Sequence, residues 1–367
     1  MIVKERVDRI LSCLESGKGT MEGQSAEQLL ICDPYAIFYL TGKLITPGER
    51  FLGLLLQKGR TPILYVNELF RFDKDLGVVK KYYSDTDDVT KLVSPDLDPA
   101  LPLAVDKTMA ARFLLPLMEA GAASFFLNGS LAVDLTRSVK DEQEKAALRK
   151  ASLVNDAAMD EFKKLIREGV TELEVADQML AIYKKLGASG YSFDPIVAFG
   201  DNAADPHHSP DNTVLKEGDA VLFDVGCVVD NYCSDMTRTF YYKKYPSKEV
   251  ERVYDLVRRA NEEAEAMIKP GVPICSVDRK ARDIISEGGY GPDFTHRLGH
   301  FIGLQDHEFG DVSTTNFRLE EEGIAHSVEP GIYHPGVAGV RIEDLIIVTK
   351  DGCEVLNHYP KDIEVIG

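Results

Sequence analysis

At 367 residues the chain is too long for one ordinary hydrophobic core and suits two domains, each large enough to bury its own interior. Its 60 Asp and Glu outweigh 42 Lys and Arg, a formal charge of -18 that repels phosphate backbones and anionic lipid; nucleic acid and membrane surfaces are excluded as partners on that ground. The six cysteines show no CxxC spacing, the opening MIVKERVDRI carries charge where a signal peptide needs an apolar run, and no stretch reaches bilayer length, so the expected setting is soluble and cytoplasmic with reduced thiols.

Residues 1–130 alternate β-rich apolar runs with helical stretches, as in AEQLLICDPYAIFYLTG, FLGLLLQKGRTPILYV and PLAVDKTMAARFLLPLMEAGAASFFL, the rhythm of an α/β domain. A second domain is expected over 137–367, opening with a long helix near Val139 whose Leu148, Ala151, Val154, Ala158, Phe162 and Leu165 share one face. Thr171 and Glu174 form a capping box for a second helix with a core stripe of Leu173, Val175, Met179, Ile182 and Leu186, closed by Gly187. Helical periodicity returns after Ser247 and after Pro273, the latter ending at Gly288 and Gly289. Gly169, Val170 and Val175 recur at an offset of 102 as Gly271, Val272 and Val277, which fits two related helix-plus-strand halves with a natural site between them.

Three phrases carry chemistry. In VLFDVGCVVDNYCSDMTRTFYY, Asp230 and Asn231 suit a tight hairpin, and the odd separation of Asp224 and Asp235 puts both carboxylates on one face of it. THRLGHFIGLQDHE gathers His296, His300 and His307; Arg297 stands where a helical HExxH zinc site needs its glutamate, and Gly299 and Gly303 disfavour the helix, so that motif is excluded. In SVEPGIYHPGVAGVRIEDLIIV, Glu329 and Glu343 follow β-branched residues, and a buried glutamate needs either a cation such as Arg341 or a metal. Four carboxylates and one imidazole brought together would carry a charge of minus four, which two divalent cations would cancel. His326, His334 and His358 are read as ordinary histidines.

Together these phrases resemble those of the pita-bread metallopeptidases, the family of aminopeptidase P, prolidase and methionine aminopeptidase. The likeness spans the second domain and keeps the order Asp, Asp, His, Glu, Glu; the first domain, with Tyr39 to Gly42 reading YLTG, resembles the creatinase-like cap of aminopeptidase P and prolidase. The resemblance implies an α/β creatinase-like N-terminal domain followed by an α+β pita-bread catalytic domain with pseudo-twofold halves. It implies that Asp224 chelates one ion, Asp235 and Glu343 bridge two, and His300 with Glu329 complete the second. It further implies that His207, in DPHHSPDN beside His208, contacts the scissile amide, that His307 steadies the tetrahedral intermediate, that His296 and Arg341 line the proline side, and that Glu329 moves the water proton. The implied activity is a dinuclear metal-dependent hydrolase cleaving Xaa-Pro bonds through a hydroxide held between the ions, in dipeptides or at the start of longer peptides. Four carboxylates favour Mn²⁺, with Co²⁺ or Zn²⁺ as alternatives. The implied substrates are peptides with proline second, and relatives pair as homodimers. A metal-free creatinase-like amidinohydrolase and a non-catalytic binding protein share the fold, but both are expected to have lost ligand carboxylates, and this chain keeps all five.

Overall fold

In the computed structural model, which describes residues 1–367, the apolar runs of the first third of the chain assemble into one mixed sheet. The chain divides into two units, Met1–Arg137 and Ser138–Gly367. The first contains helices α1 (Lys4–Glu15), α2 (Pro34–Thr41), α3 (Val89–Val93), α4 (Ala111–Glu119) and, at its end, α5 (Ser130–Ser138). Its strands are β1 (Gln28–Ile31), β2 (Gly53–Gln57), β3 (Ile63–Asn67), β4 (Val79–Tyr83), β5 (Leu103–Val105) and β6 (Phe126–Asn128), in the order β4-β3-β2-β1-β5-β6. All four residues of β1 are buried, Gln28 included, and its Leu29, Leu30 and Ile31 read as an apolar run and not as an alternation. The YLTG phrase ends α2: Gly42 takes the left-handed conformation, φ 65°, and its N–H closes the helix on Phe38.

The second unit holds α6 (Glu142–Lys163), α7 (Glu172–Lys185), α8 (Lys248–Met267) and α9 (Ile274–Glu287). Its strands are β7 (Gly190–Tyr191), β8 (Ile196–Phe199), β9 (Ala220–Val225), β10 (Cys227–Val229), β11 (Tyr232–Cys233), β12 (Met236–Tyr242), β13 (Gly299–Phe301), β14 (Glu308–Val312), β15 (Ala325–Val328), β16 (Gly331–His334), β17 (Ala338–Arg341), β18 (Asp344–Val348), β19 (Cys353–Val355) and β20 (Val365–Ile366). Helices α6 and α7 pack on a sheet ordered β20-β12-β9-β8 through Phe162, Met179, Tyr183, Phe223 and Phe240. Helices α8 and α9 pack on a sheet ordered β14-β13-β15-β18-β19 through Val257, Ile285, Phe301, Val328 and Ile346. The two glycines related by the offset, Gly169 (φ 76°) and Gly271 (φ 86°), both make the left-handed turn that leads into the second helix of a half.

Two local expectations are corrected. Helix α6 starts at Glu142, after a capping box of Asp141 and Glu144, because Val139 pairs with Ile324 in an isolated bridge instead of joining the helix. On α7, Leu173 is 38% exposed while its neighbour Glu172 is fully buried. A charged side chain takes an inward position there because the 199–211 segment brings it four hydrogen bonds. All six cysteines are free, and no helix is long and apolar enough to cross a membrane.

Candidate metal centre

Strands β9 and β12 pair with Thr237 opposite Asp224 and Met236 opposite Val225. The β10–β11 hairpin continues the same register through a two-residue turn at Asp230 (φ 51°) and Asn231 (φ 71°). Asp235 lies two residues before Thr237, so its side chain shares a face with that of Asp224. Gly226 permits the crossover, since a Cβ there would collide with the Ser234 carbonyl.

The second half supplies the remaining groups. His300 sits in β13, its backbone N–H donating to Ser327 Oγ at 3.0 Å. Glu329 directly follows β15, and Glu343 lies between β17 and β18; both stand at strand ends, where a carboxylate can leave the sheet surface and turn inward. Thr237 donates to Glu343 Oε2 at 2.7 Å, and the Glu343 N–H donates to the Thr237 carbonyl at 3.1 Å, which joins the two halves at the cluster. His300 Nε2 is 3.4 Å from Asp235 Oδ2 and 3.6 Å from Glu329 Oε1. Ligand atoms of Asp235, His300 and Glu343 all lie within 4.8 Å of one another, and all three residues are buried. The five expected ligands therefore converge, lining a cavity of about 850 Å³ together with His207, His296, His307 and Arg341.

The chemistry of this donor set fits divalent cations. Asp224 Oδ1 and Asp235 Oδ1 are buried with no hydrogen-bond partner, a costly state for a carboxylate oxygen. Burial, then repulsion from Glu343 and other acids, pushes the Asp235 carboxyl well up; burial, then Glu329, does the same to Glu343. Burial is the largest cause that lifts Glu329 to about 8. His300 is held neutral by burial and by the neighbouring His307. With Nδ1 facing the Phe301 carbonyl at 3.4 Å, its Nε2 lone pair is turned on two carboxylates. That arrangement is repulsive unless a cation, or in the metal-free protein a carboxyl proton, stands between.

Arg341 pairs with Asp224, Nη2 to Oδ2 at 2.6 Å, and not with Glu329 or Glu343 as the ion-pair reading of the third phrase had it. Its Nη1 donates to Tyr333 Oη at 2.9 Å, and Tyr333 Oη is 2.8 Å from His296 Nε2. Burial, followed by the Arg341 charge, lowers His296 to about 4, so this wall of the cavity presents a neutral imidazole. The His307 ring lies 3.8 Å from the His300 ring, and its Nδ1 accepts from Arg297 Nη2 at 3.3 Å.

The two adjacent histidines are separated by Glu172. That carboxylate accepts from Phe199 N at 2.7 Å, Asn202 Nδ2 at 2.9 Å and Asp211 N at 3.0 Å, and lies 2.6 Å from His208 Nε2. His208 is thereby fixed against α7 and His207 is exposed, while both line the cavity. His326 is a buried histidine bonded to Ser327 O and Glu320, and His334 pairs with Asp293. Residue-by-residue reading passed over Glu172, Thr237, Tyr333 and Asp306. Asp306 adjoins His307, its Oδ1 is buried without a partner, and burial with Asp224 lifts it to about 7. A carboxylate flanking a histidine in an already acidic phrase was its only signal.

Comparison with known proteins agrees with this architecture. Residues 146–350 match the metallopeptidase family M24, and residues 14–139 match the creatinase/prolidase N-terminal domain. An uncharacterized peptidase of Staphylococcus aureus (strain USA300) is 40% identical over 349 residues, covering 93% of this chain and 97% of that protein. Among solved structures, an Xaa-Pro dipeptidase from Bacillus anthracis is 30% identical with a TM-score of 0.88, covering 99% of both chains. An X-Pro aminopeptidase from Thermotoga maritima MSB8 is 30% identical with a TM-score of 0.83, covering 93% of this chain and 98% of that one. The chain belongs to metallopeptidase family M24: a divalent-metal-dependent peptidase with a creatinase-type N-terminal domain.

Proposed function

We propose that this peptidase hydrolyses the bond before proline, in Xaa-Pro dipeptides or at the amino terminus of longer peptides, with Asp224, Asp235, His300, Glu329 and Glu343 holding two divalent ions. The observation that carries this reading is the convergence of those five side chains around carboxylate oxygens that no protein donor satisfies. Manganese heads the list of metals because the set is four carboxylates and one imidazole. The names of the dipeptidase and aminopeptidase relatives support the choice of bond. An acidic, cytoplasmic homodimer completes the proposal.

Bound ions would supply an activated water and a sink for the charge that develops on the scissile carbonyl oxygen. The chain's own groups divide the remaining work. Glu329 has a side chain 17% exposed to the cavity; it takes the proton released by the attacking water and passes it towards the proline nitrogen. The pKa of His307 is lowered by burial and by Arg297, and with Nδ1 accepting from Arg297 its Nε2–H is the donor, lying 3.4 Å from Asp306 Oδ2 and turning to the oxyanion when substrate is bound. His207 meets the scissile amide from the 199–211 segment. His296 and Arg341, tied through Tyr333, form the wall against which the proline ring rests. The test is hydrolysis of an Xaa-Pro dipeptide beside an Xaa-Pro-Xaa tripeptide, before and after chelation, with bound metal measured. Close to two ions per chain and activity lost on chelation are expected; full activity in the metal-free protein overturns the mechanism.

A further inference from the structure

The side chain of His307 is 60% exposed, and its ring meets His300, Arg297 Nη2 at 3.3 Å and Asp306 Oδ2 at 3.4 Å. Contacts so few do not fix a ring in place, so its position is inherited from the backbone of its loop. That loop runs between Phe301 and Glu308, which face each other across β13 and β14 where the register shifts. Loop backbone of this kind is mobile unless it is tied internally.

Two ties hold this one. At its start the Cys233 N–H donates to the Gly303 carbonyl at 2.8 Å, which joins the loop to the hairpin carrying Asp235. At its end the Glu308 side chain turns back, and Oε1 accepts from the Leu304 N–H at 2.9 Å, so that Asp306 and His307 lie on a closed turn. The other oxygen, Oε2, is 2.7 Å from Lys140 Nζ. Lys140 belongs to the segment ahead of α6, where its own N–H donates to the Gly323 carbonyl at 2.8 Å, so the anchor lies outside the loop. Gly303 passes over the pair so closely that a Cβ there would stand 2.6 Å from Glu308 Oε1 and 2.7 Å from Lys140 Nζ. Only a residue without a side chain lets the loop close on the two charges.

The pair is almost out of water, with side chains 1% and 4% exposed. Stability alone does not account for it, because desolvating two charges offsets much of their attraction and apolar side chains of similar volume often serve a core as well or better. What an apolar pair could not supply is an acceptor for the Leu304 N–H, held in one direction. Resting on the assignment of His307 to the oxyanion, we propose that Lys140 and Glu308 are positioning residues for catalysis: a buried ion pair that closes the turn at 304–308 and sets His307 beside His300.

The test compares metal-loaded Lys140→Met, Glu308→Gln, the Lys140→Met/Glu308→Gln double variant and Lys140→Met/His307→Ala with wild type and His307→Ala. Bound metal, kcat and KM are measured on whichever of the Xaa-Pro dipeptide and tripeptide wild type cleaves. Each single variant of the pair is expected to lose about 10- to 100-fold in kcat, the scale of misplacing a catalytic group by about 1 Å, with KM and metal content near wild type. The double variant leaves no buried charge and keeps an oxygen for the Leu304 N–H, so it should regain most of that loss. In the His307→Ala background, Lys140→Met should change kcat by less than about twofold, because the group it positions is gone. An equal loss in both backgrounds shows that Lys140 acts elsewhere and overturns the proposal, while leaving the role of His307 intact. Wild-type kcat in the single variants, or a double variant no better than they are, overturns it as well. Should Lys140→Met not fold, Glu308→Gln with and without His307→Ala carries the same comparison; if neither single variant folds, the pair is structural and the proposal falls. His307→Ala with wild-type kcat removes instead the assignment of His307 on which the proposal rests.

Discussion

The sharpest stability prediction concerns Glu172→Gln, a change of one atom in a fully buried side chain. Glu172 Oε1 receives Phe199 N and Asn202 Nδ2, and Oε2 receives Asp211 N with His208 Nε2 beside it. A glutamine replaces one of those oxygens with a donor. If the NH₂ faces His208, the imidazole can switch tautomer and accept, but the Asp211 N–H is stranded. If it faces Asn202, that amide can flip, but the Phe199 N–H is stranded. Either way one buried backbone donor loses its partner, at about 1–3 kcal/mol, and the surviving bonds lose charge assistance worth roughly another 1 kcal/mol. A total of about 2–4 kcal/mol corresponds to a melting temperature lower by roughly 5–15 °C in a unit of this size. The activity effect follows from the same residues: the loop that loses its anchor carries His207, and misplacing such a group by about 1 Å can cost about 100-fold in turnover. Thermal melts and kcat on the metal-loaded variant test this, with bound metal expected to equal wild type because Glu172 lies outside the cluster. A variant that melts within a degree of wild type and keeps full kcat refutes the claim that Glu172 orients the histidine pair.

Three further outcomes follow from the cluster. Asp235→Asn should lose both metal binding and activity, whereas His307→Ala should keep the metal and lose about 10²–10³-fold in kcat; metal analysis beside turnover distinguishes them, and the reverse pattern overturns the roles assigned. After chelation, stability should fall as pH rises from 6.5 to 8.5. Asp235, Glu343, Glu329 (about 8) and Asp306 (about 7) all bind their protons more tightly folded than unfolded, so the folded state carries the extra protons in that window and the slope is negative. The neutral histidines His296, His300 and His307 act in the opposite direction, but only below their ordinary range near pH 6.5. A loss of roughly 5–10 °C in melting temperature across the window is expected without metal and little change with it; a metal-free protein that gains stability over the window contradicts the cluster's charge state.

What could be read from the sequence divides along physical lines. Asp224 and Asp235 share a face because side chains in a paired hairpin alternate with period two, and the Asp230-Asn231 turn fixes the register, both of which are local properties. The helix caps at Thr171 and Ser247 are equally local. The partner of Arg341 was not legible: Asp224 lies 117 positions away, and nothing short-range distinguishes it from Glu329 or Glu343. Glu172 was hidden for a related reason. Helical periodicity placed Leu173 inward, but the segment at 199–211 arrives with donors that only a carboxylate can satisfy, so tertiary hydrogen bonding overrode the apolar pattern. The different surroundings of His207 and His208 have the same origin, since that buried acid holds His208 alone.

The pseudo-twofold construction explains how so many like charges can be assembled at all. Each half carries one buried asparagine on its long helix: Asn155 donates to the Val225 carbonyl at 2.8 Å, and Asn261 donates to the Val328 carbonyl at 2.9 Å. The first clamps the backbone one residue after Asp224 and the second one residue before Glu329. Each asparagine is itself held, Asn155 by the Tyr183 hydroxyl at 2.6 Å and Asn261 by Lys361 at 2.6 Å. The strand ends that present carboxylates are thus fixed by polar contacts drawn from two separate apolar cores, so the repulsion within the cluster is resisted by the packing of α6 and α7 on one side and of α8 and α9 on the other. A single hairpin could bring Asp224 and Asp235 together but could not also hold Glu329 and Glu343 against them. Two cores can, and the geometry they enforce leaves acidic oxygens facing one another, to be satisfied by cations or, without metal, by the protons that burial makes them hold.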